Sequence, residues 1–265
     1  MKNVIITGSS GGLGLSIVKR LVENNYFVFG LDINQSGFFS PNFMEIKTNI
    51  MDKKSLERAK NKIKTKTKEI YAIINVAGIY EMSILSSLDS SDIVEKMLNV
   101  NLLGMIKVNS TFSSMLHRNA RIINFSSECG FFKPQPFNGP YTITKYAVEA
   151  YNDSLQKELM FKNIYVIKIR PGSFKTNMHD KAKDEFNDLV KNKEYQDILL
   201  KMKKIMTKEL QKYHKPDIIS EKILKILKTR KPKLSYNIKL SFNLLLLQIL
   251  PNRFINFLYL KMFHK

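Results

Sequence analysis

The chain has 265 residues, 44% hydrophobic and 25% charged, an ordinary globular composition with enough length for one full core. Its formal net charge is +20, but the lysines are spread through helix-like stretches at 53–68 and 175–233 among acidic residues, without an arginine cluster, so no nucleic-acid partner is expected and a membrane contribution stays open. The single cysteine, Cys129, excludes a disulfide framework and a multi-cysteine metal site, and His117, His179, His214 and His264 lack ligand spacing, so no metal is implied.

In chain order, Met1-Lys2-Asn3 and Val4-Ile5-Ile6 lack the long apolar region of a signal peptide, which sets the expectation of a cytoplasmic protein. Short apolar runs predict strands at 3–7, 26–32, 43–47, 70–75, 120–126 and 164–170, with a late one near 233–238. Helical patterns lie between them at 12–24, 52–67, 90–116 and 141–161. Strand and helix alternating in this way predict an α/β fold, a single doubly wound parallel sheet of about seven strands with helices on both faces. Residues 1–240 form that domain. After Pro171-Gly172 a lysine-rich stretch at 175–215 is a candidate lid, because ligands of such sheets sit beyond the carboxyl ends of the strands.

The first strand runs straight into Thr7-Gly8-Ser9-Ser10-Gly11-Gly12-Leu13-Gly14 and then an apolar helix. Glycines let the backbone turn sharply and approach a pyrophosphate, and the free N–H groups of a helix start receive its charge. That context is the dinucleotide fingerprint. Asp32, at the end of the next strand and eighteen residues beyond Gly14, can bind ribose hydroxyls and would repel a 2′-phosphate. NAD(H) is therefore expected over NADP(H). Further on, Tyr141 and Lys145 stand four apart, so a helix would place phenol and ammonium on one face. A nearby positive charge favours the phenolate, which would make a tyrosine of ordinary pKa about 10 a usable acid and base.

These residues together resemble the classical short-chain dehydrogenase/reductase family over 3–240, with a leaning toward its steroid and retinol dehydrogenase-like branch. Thr7, Gly8, Gly12 and Gly14 match T-G-x-x-x-G-x-G, although Gly11 equally fits the T-G-x-x-G-x-x-G of the extended branch. Asn75-Val76-Ala77-Gly78 is similar to N-N-A-G, Asn99-Val100-Asn101 to N-V-N, and Pro171-Gly172 with Thr176 to P-G-x-x-x-T. Ile122 to Ser127 resembles the strand that delivers the catalytic serine, and Tyr141 with Lys145 matches Y-x-x-x-K. The resemblance implies a catalytic set of Asn101, Ser127, Tyr141 and Lys145. It also implies a cofactor site of Thr7, Gly8, Ser10, Gly12, Leu13, Gly14, Asp32, Asn49, Ile50, Asn75, Ala77, Gly78, Tyr141, Lys145, Pro171, Gly172 and Thr176. Asn49 stands where an aspartate is usual. The gap from Ser127 to Tyr141 is one residue longer than the family spacing, which the loop through Pro134-Gln135-Pro136-Phe137 must absorb, and Ser126 is an alternative serine.

The implied reaction moves a hydride between nicotinamide and a carbon bearing a hydroxyl or carbonyl oxygen. Tyr141 would move the proton, Lys145 would lower its pKa, Ser127 would bond the substrate oxygen, and Asn101 would hold a water linking Lys145 to solvent. A small-molecule alcohol or ketone, lipophilic in character, is the expected substrate, and a homo-oligomer, dimer or tetramer, the expected assembly. A non-enzymatic NAD-binding scaffold or redox sensor and a nucleotide-sugar epimerase or dehydratase are the alternatives. Residues 241–265 are an apolar helical extension, and 242–263 read either as a helix pair packed near the substrate pocket or as a peripheral membrane contact.

Overall fold

A computed structural model describes residues 1–210 and 213–263. Val4-Ile5-Ile6 and their ladder partners Ala72-Ile73-Ile74 are apolar without interruption, as in strands covered on both faces. The seven strands are β1 (Lys2–Thr7), β2 (Tyr26–Asp32), β3 (Phe43–Lys47), β4 (Ile70–Asn75), β5 (Leu116–Phe125), β6 (Tyr165–Pro171) and β7 (Ser235–Ile238). They form one sheet in the order β3-β2-β1-β4-β5-β6-β7, and every pairing is parallel.

The pleat sends alternate side chains to opposite faces. Val4 and Ile6 join Ile17, Val18 and Leu21 of α1 (Gly12–Val22) and Ile219, Ile223 and Leu227 of α8 (Asp217–Lys228). Ile5 faces the other way, toward Leu56 and Ile63 of α2 (Lys53–Lys64) and Val108 and Phe112 of α4 (Met105–Phe112). On that same side α5 (Gly139–Leu159) covers β5 and β6, with Leu155 and Leu159 packed on Ile122 and Val166.

Several boundaries differ from the sequence reading, three of them for clear local reasons. The stretch expected as one helix over 90–116 is α3 (Ser90–Leu98), a π-helical segment Asn99–Gly104, and α4. Strand β5 begins at Leu116 rather than 120 because Asn119 takes a left-handed φ of 68° and the register shifts between Ile70 and Ala72, so the strand continues past an irregularity. Helix α5 starts two residues early at Gly139, with Pro140 in its first turn, where a missing N–H costs nothing.

The lysine-rich stretch after β6 is ordered as α6 (Asn177–Leu189) and α7 (Gln196–Leu210). Helices α9 (Phe242–Ile249) and α10 (Asn252–Phe263) close the described chain. Phe186, Val190, Leu199, Met202 and Phe263 form an apolar cluster with Met82, joined by Tyr80, Phe137, Tyr195 and Tyr259. The candidate lid and the end of the chain thus pack on the loop that follows β4.

Candidate active site and cofactor cradle

Strands β1 and β4 are neighbours, but the chain leaves them in opposite directions across the sheet, which opens a crevice at their carboxyl ends. Thr7 pairs with Asn75 there, and the buried Thr7 hydroxyl accepts the Ala77 N–H at 3.3 Å. Gly8 turns out of β1 with a φ of 69°, and a Cβ on it would lie 2.8 Å from the Ala77 nitrogen. A Cβ on Gly14 would overlap the Gly8 carbonyl, so the start of α1 is pressed against the turn. Gly12 has a φ of 52° and abuts Thr176, whereas Gly11 is extended and an added Cβ would meet nothing within 4 Å. The required glycines are therefore Gly8, Gly12 and Gly14, which settles the ambiguous spacing in favour of T-G-x-x-x-G-x-G.

Helix α1 starts at Gly12 directly after the turn out of β1 and has no side-chain cap, the form in which a helix start can receive an anion. The side chain of Leu13 packs on the core behind. Asp32 accepts the Ser10 N–H and the Asn34 N–H, each at 3.0 Å, so it fastens the loop while presenting a carboxylate at the crevice edge. Asn49 accepts the Met51 N–H at 3.0 Å in a local turn, and Ile50 packs against Gly104. Gly172 is pressed onto the Lys239 carbonyl, where a side chain would not fit, and Thr176 stands at the start of α6 beside Gly12. A glycine cradle, an uncapped helix start and an edge carboxylate fit the pyrophosphate and ribose of a dinucleotide.

Asn75 is the exception among the proposed cofactor residues. Its side chain turns into the protein, donating to Asn109 Oδ1 at 2.8 Å and Asn124 Oδ1 at 2.9 Å. Asn109 also donates to the Tyr151 hydroxyl at 3.1 Å and Asn124 to Asn152 Oδ1 at 3.1 Å, giving a buried amide network that ties β4 and β5 to α4 and α5. Nothing in the residue spacing pointed to this network.

The four residues proposed for the chemistry come together beside Gly78. A Cβ on that glycine would lie 3.1 Å from Asn101 Oδ1 and 4.0 Å from Lys145 Nζ. Asn101, in the π-helical segment, accepts the Ile79 N–H at 2.8 Å and donates to the Ile79 carbonyl at 3.0 Å and to Thr144 Oγ1 at 3.2 Å. Its amide thereby joins the loop after β4 to α5. Lys145 is buried, donates to the Phe125 carbonyl at 3.1 Å and lies 5.4 Å from the centre of the Tyr141 ring. Tyr141 is partly exposed on the crevice wall, with the Ser127 hydroxyl near enough to favour its charged form. Ser127 Oγ also accepts the Cys129 N–H at 3.2 Å. Ser126 points away, toward the Lys145 carbonyl at 3.4 Å and Glu149. The extra residue between Ser127 and Tyr141 is taken up by a 3-10 turn at Glu128–Gly130 and a left-handed Phe137 with φ 62°.

Burial governs the electrostatics. It pushes the Tyr141 phenol above its ordinary range, helped by the neighbouring Cys129 and opposed by the nearby Ser127 hydroxyl. The same cause pulls Lys145 down to about 8, against the pull of Cys129 and Glu149. With the protein's own groups alone, then, the phenol is raised rather than depressed, because desolvation is the largest influence on it. Cys129 is driven up to about 11 by burial and Glu128, which leaves it an inert thiol. Burial would also raise Glu149, one turn beyond Lys145, but bonds from Arg170 at 2.8 and 2.7 Å and an ion pair with Lys168 at 3.0 Å hold it below the usual range. The Tyr80 ring meets the Tyr141 ring edge-on at 5.0 Å, so the apolar cluster of lid and chain end forms the roof over the phenol.

A family model described as short chain dehydrogenase matches residues 2–187. The chain belongs to that family. Among curated short-chain dehydrogenase relatives, 3-amino-tetrahydro-pyrrolizinone reductase of Xenorhabdus hominickii is 31% identical over 185 residues, 68% of this chain and 64% of that protein. Retinol dehydrogenase 7 of Mus musculus is 30% identical over 186 residues, 67% of this chain and 58% of that protein. The chain thus matches less than two thirds of the length of these curated relatives. A solved short chain dehydrogenase family protein from Francisella tularensis shares the fold with a TM-score of 0.73 at 24% identity, covering 90% of this chain and 96% of its own. The structure of 4-hydroxyisoleucine dehydrogenase complexed with NADH does so with a TM-score of 0.70 at 20% identity, covering 91% and 97%.

Proposed function

We propose that this short-chain dehydrogenase is an NAD(P)-dependent oxidoreductase that interconverts a secondary alcohol and a ketone, with NAD(H) preferred and a lipophilic substrate. The observation that carries the reading is the convergence of Ser127, Tyr141 and Lys145 on one crevice wall, with Asn101 behind them across Gly78. A dinucleotide held at Gly8, Gly12, Gly14 and Asp32 supplies the hydride; the protein supplies position, proton and field.

In the reducing direction Tyr141 donates its phenolic proton to the oxygen that gains charge, and burial keeps it protonated until then. Ser127, beside the phenol, offers its hydroxyl to the same oxygen, a bond that strengthens as charge develops. Lys145, fixed by the Phe125 carbonyl and with a pKa near 8, is mostly protonated at neutral pH and stabilises the phenolate left behind. Asn101 ties the Ile79 loop to Thr144 and so keeps α5 in register with the crevice. The apolar roof of Tyr80, Met82, Phe186 and Leu199 supports a lipophilic substrate, as does similarity to a retinol dehydrogenase. The Asp32 carboxylate at the crevice edge supports NAD(H), since it opposes a 2′-phosphate.

Turnover of a panel of hydroxyl and carbonyl compounds with each nicotinamide cofactor tests the reading. Activity on lipophilic ketones with NADH is expected. Activity confined to sugars or small polar acids would reject the substrate class, and preference for NADPH would reject the role given to Asp32.

A further inference from the structure

Helices α9 and α10 are apolar around most of their circumference, a pattern that belongs to helices enclosed by protein or by lipid. Each is covered on one side only. Helix α10 turns Ile255, Tyr259 and Phe263 inward, the last two into the cluster above the crevice. Helix α9 is held by polar ties: Gln248 accepts the Lys133 N–H at 2.9 Å and donates to the Phe131 carbonyl at 3.3 Å, and the Ser241 N–H bonds the Glu128 carboxylate at 2.8 Å. On the outer side Phe242, Leu245, Leu246 and Ile249 recur at helical spacing as one exposed stripe, Phe242 at 69% and Ile249 at 80% exposure. Phe254 and Phe257 of α10 are exposed as well, their rings stacked at 6.3 Å.

Charge identifies what such a face meets. From Lys222 to Lys265 the chain has ten Lys or Arg and no Asp or Glu. Arg253, Phe257 and Lys261 stand one turn apart in a single exposed row on α10, so cations are set among the apolar side chains. A second copy of this chain does not suit the surface, because residues 242–263 carry Arg253 and Lys261 and no Asp or Glu, so a two-fold contact of these helices would bring cations together without a facing acid from either helix. No described helix is long and apolar enough to cross a membrane. We propose that α9 and α10 are an in-plane anchor for an anionic lipid bilayer, with the Phe242–Ile249 stripe and Phe254 and Phe257 among the acyl chains and Arg253 and Lys261 at the headgroups.

Anchoring requires none of Asn101, Ser127, Tyr141 or Lys145, so vesicle binding tests it apart from catalysis. The purified full chain is sedimented with vesicles of phosphatidylcholine alone or mixed with phosphatidylglycerol. It is expected to pellet with the anionic vesicles and to be released as salt rises. Leu246→Glu combined with Phe257→Glu should weaken that binding at least about tenfold, since both side chains would carry charge into the interface. The chain contains no tryptophan, so Ile249→Trp places a single reporter on the stripe, and its emission should shift to the blue on anionic vesicles. No pelleting by the wild type at low salt, pelleting unaffected by the double substitution, or an unshifted tryptophan would each overturn the proposal. A wild-type oligomer that ignores vesicles and becomes monomeric in the double variant would assign the face to a second copy instead.

Discussion

Alanine at Gly14 should cripple dinucleotide binding, whereas alanine three residues earlier, at Gly11, should not. At Gly14 the added Cβ would overlap the Gly8 carbonyl oxygen and sit 2.7 Å from its carbon, where ordinary contact begins at 3.4 Å. Both atoms in the way are backbone, so the start of α1 or the turn out of β1 must retreat by a sizeable fraction of an ångström. Misplacement approaching 1 Å costs on the order of 100-fold where groups must be held in position. Gly8→Ala should act similarly: its φ of 69° alone costs a side chain about 1–2 kcal/mol, before the contact with Ala77 nitrogen at 2.8 Å is counted. Gly11→Ala meets nothing within 4 Å and needs no unusual φ. Its loss is only that alanine is a weaker N-cap than glycine, under about 1 kcal/mol or roughly fivefold. Titration of NADH followed by its fluorescence, with thermal melting beside it, reads all three. Wild-type NADH affinity in Gly14→Ala, or equal losses in Gly11→Ala and Gly14→Ala, would refute the assignment of the loop.

Asn75→Ala should lower stability by about 1–3 kcal/mol in denaturant titration, because the buried Asn109 acceptor loses its donor and the Asn124 acceptor keeps only a longer one from Asn109, while NADH affinity stays near wild type. A selective loss of NADH binding would instead return that side chain to the cofactor. Asp32→Ala should shift the ratio of NADH to NADPH affinity toward NADPH by at least about tenfold, and an unchanged ratio would remove Asp32 from cofactor choice. Lys145 titrates near 8 when folded and at its higher ordinary value when unfolded. The unfolded chain therefore binds the extra proton between those values, and wild-type stability should gain from pH 8 to 10 relative to Lys145→Met. Parallel pH curves for the two proteins would contradict the burial of that ammonium.

What could be read from the residues is what depends on local pattern. Gly8, Gly12 and Gly14 announce a phosphate turn because they follow an apolar strand directly, and Asp32 announces itself by closing the next one. Tyr141 and Lys145 need only a helix to share a face, and α5 provides it. The inward turn of the Asn75 side chain was not legible because its partners come from β5 and α4, and nothing in local spacing says which way an amide at a strand end will turn. Helix α8 lies within the helix-like stretch 175–233 and was not separated from it, although Ile219, Ile223 and Leu227 recur at helical spacing and are buried against α1, because lysines continue without a break on either side. The choice between Ser126 and Ser127 rested on distances across the 128–138 loop, which only the folded chain supplies.

The central claim is that Tyr141 moves a proton in step with hydride transfer. Its most direct test is single-turnover reduction of the best ketone by NADH in the wild type and in Tyr141→Phe, with NADH affinity measured on both. Tyr141→Phe should lose roughly 10²- to 10⁴-fold in the reduction rate with NADH binding and melting temperature preserved. A Tyr141→Phe protein that reduces the ketone at the wild-type rate would contradict it.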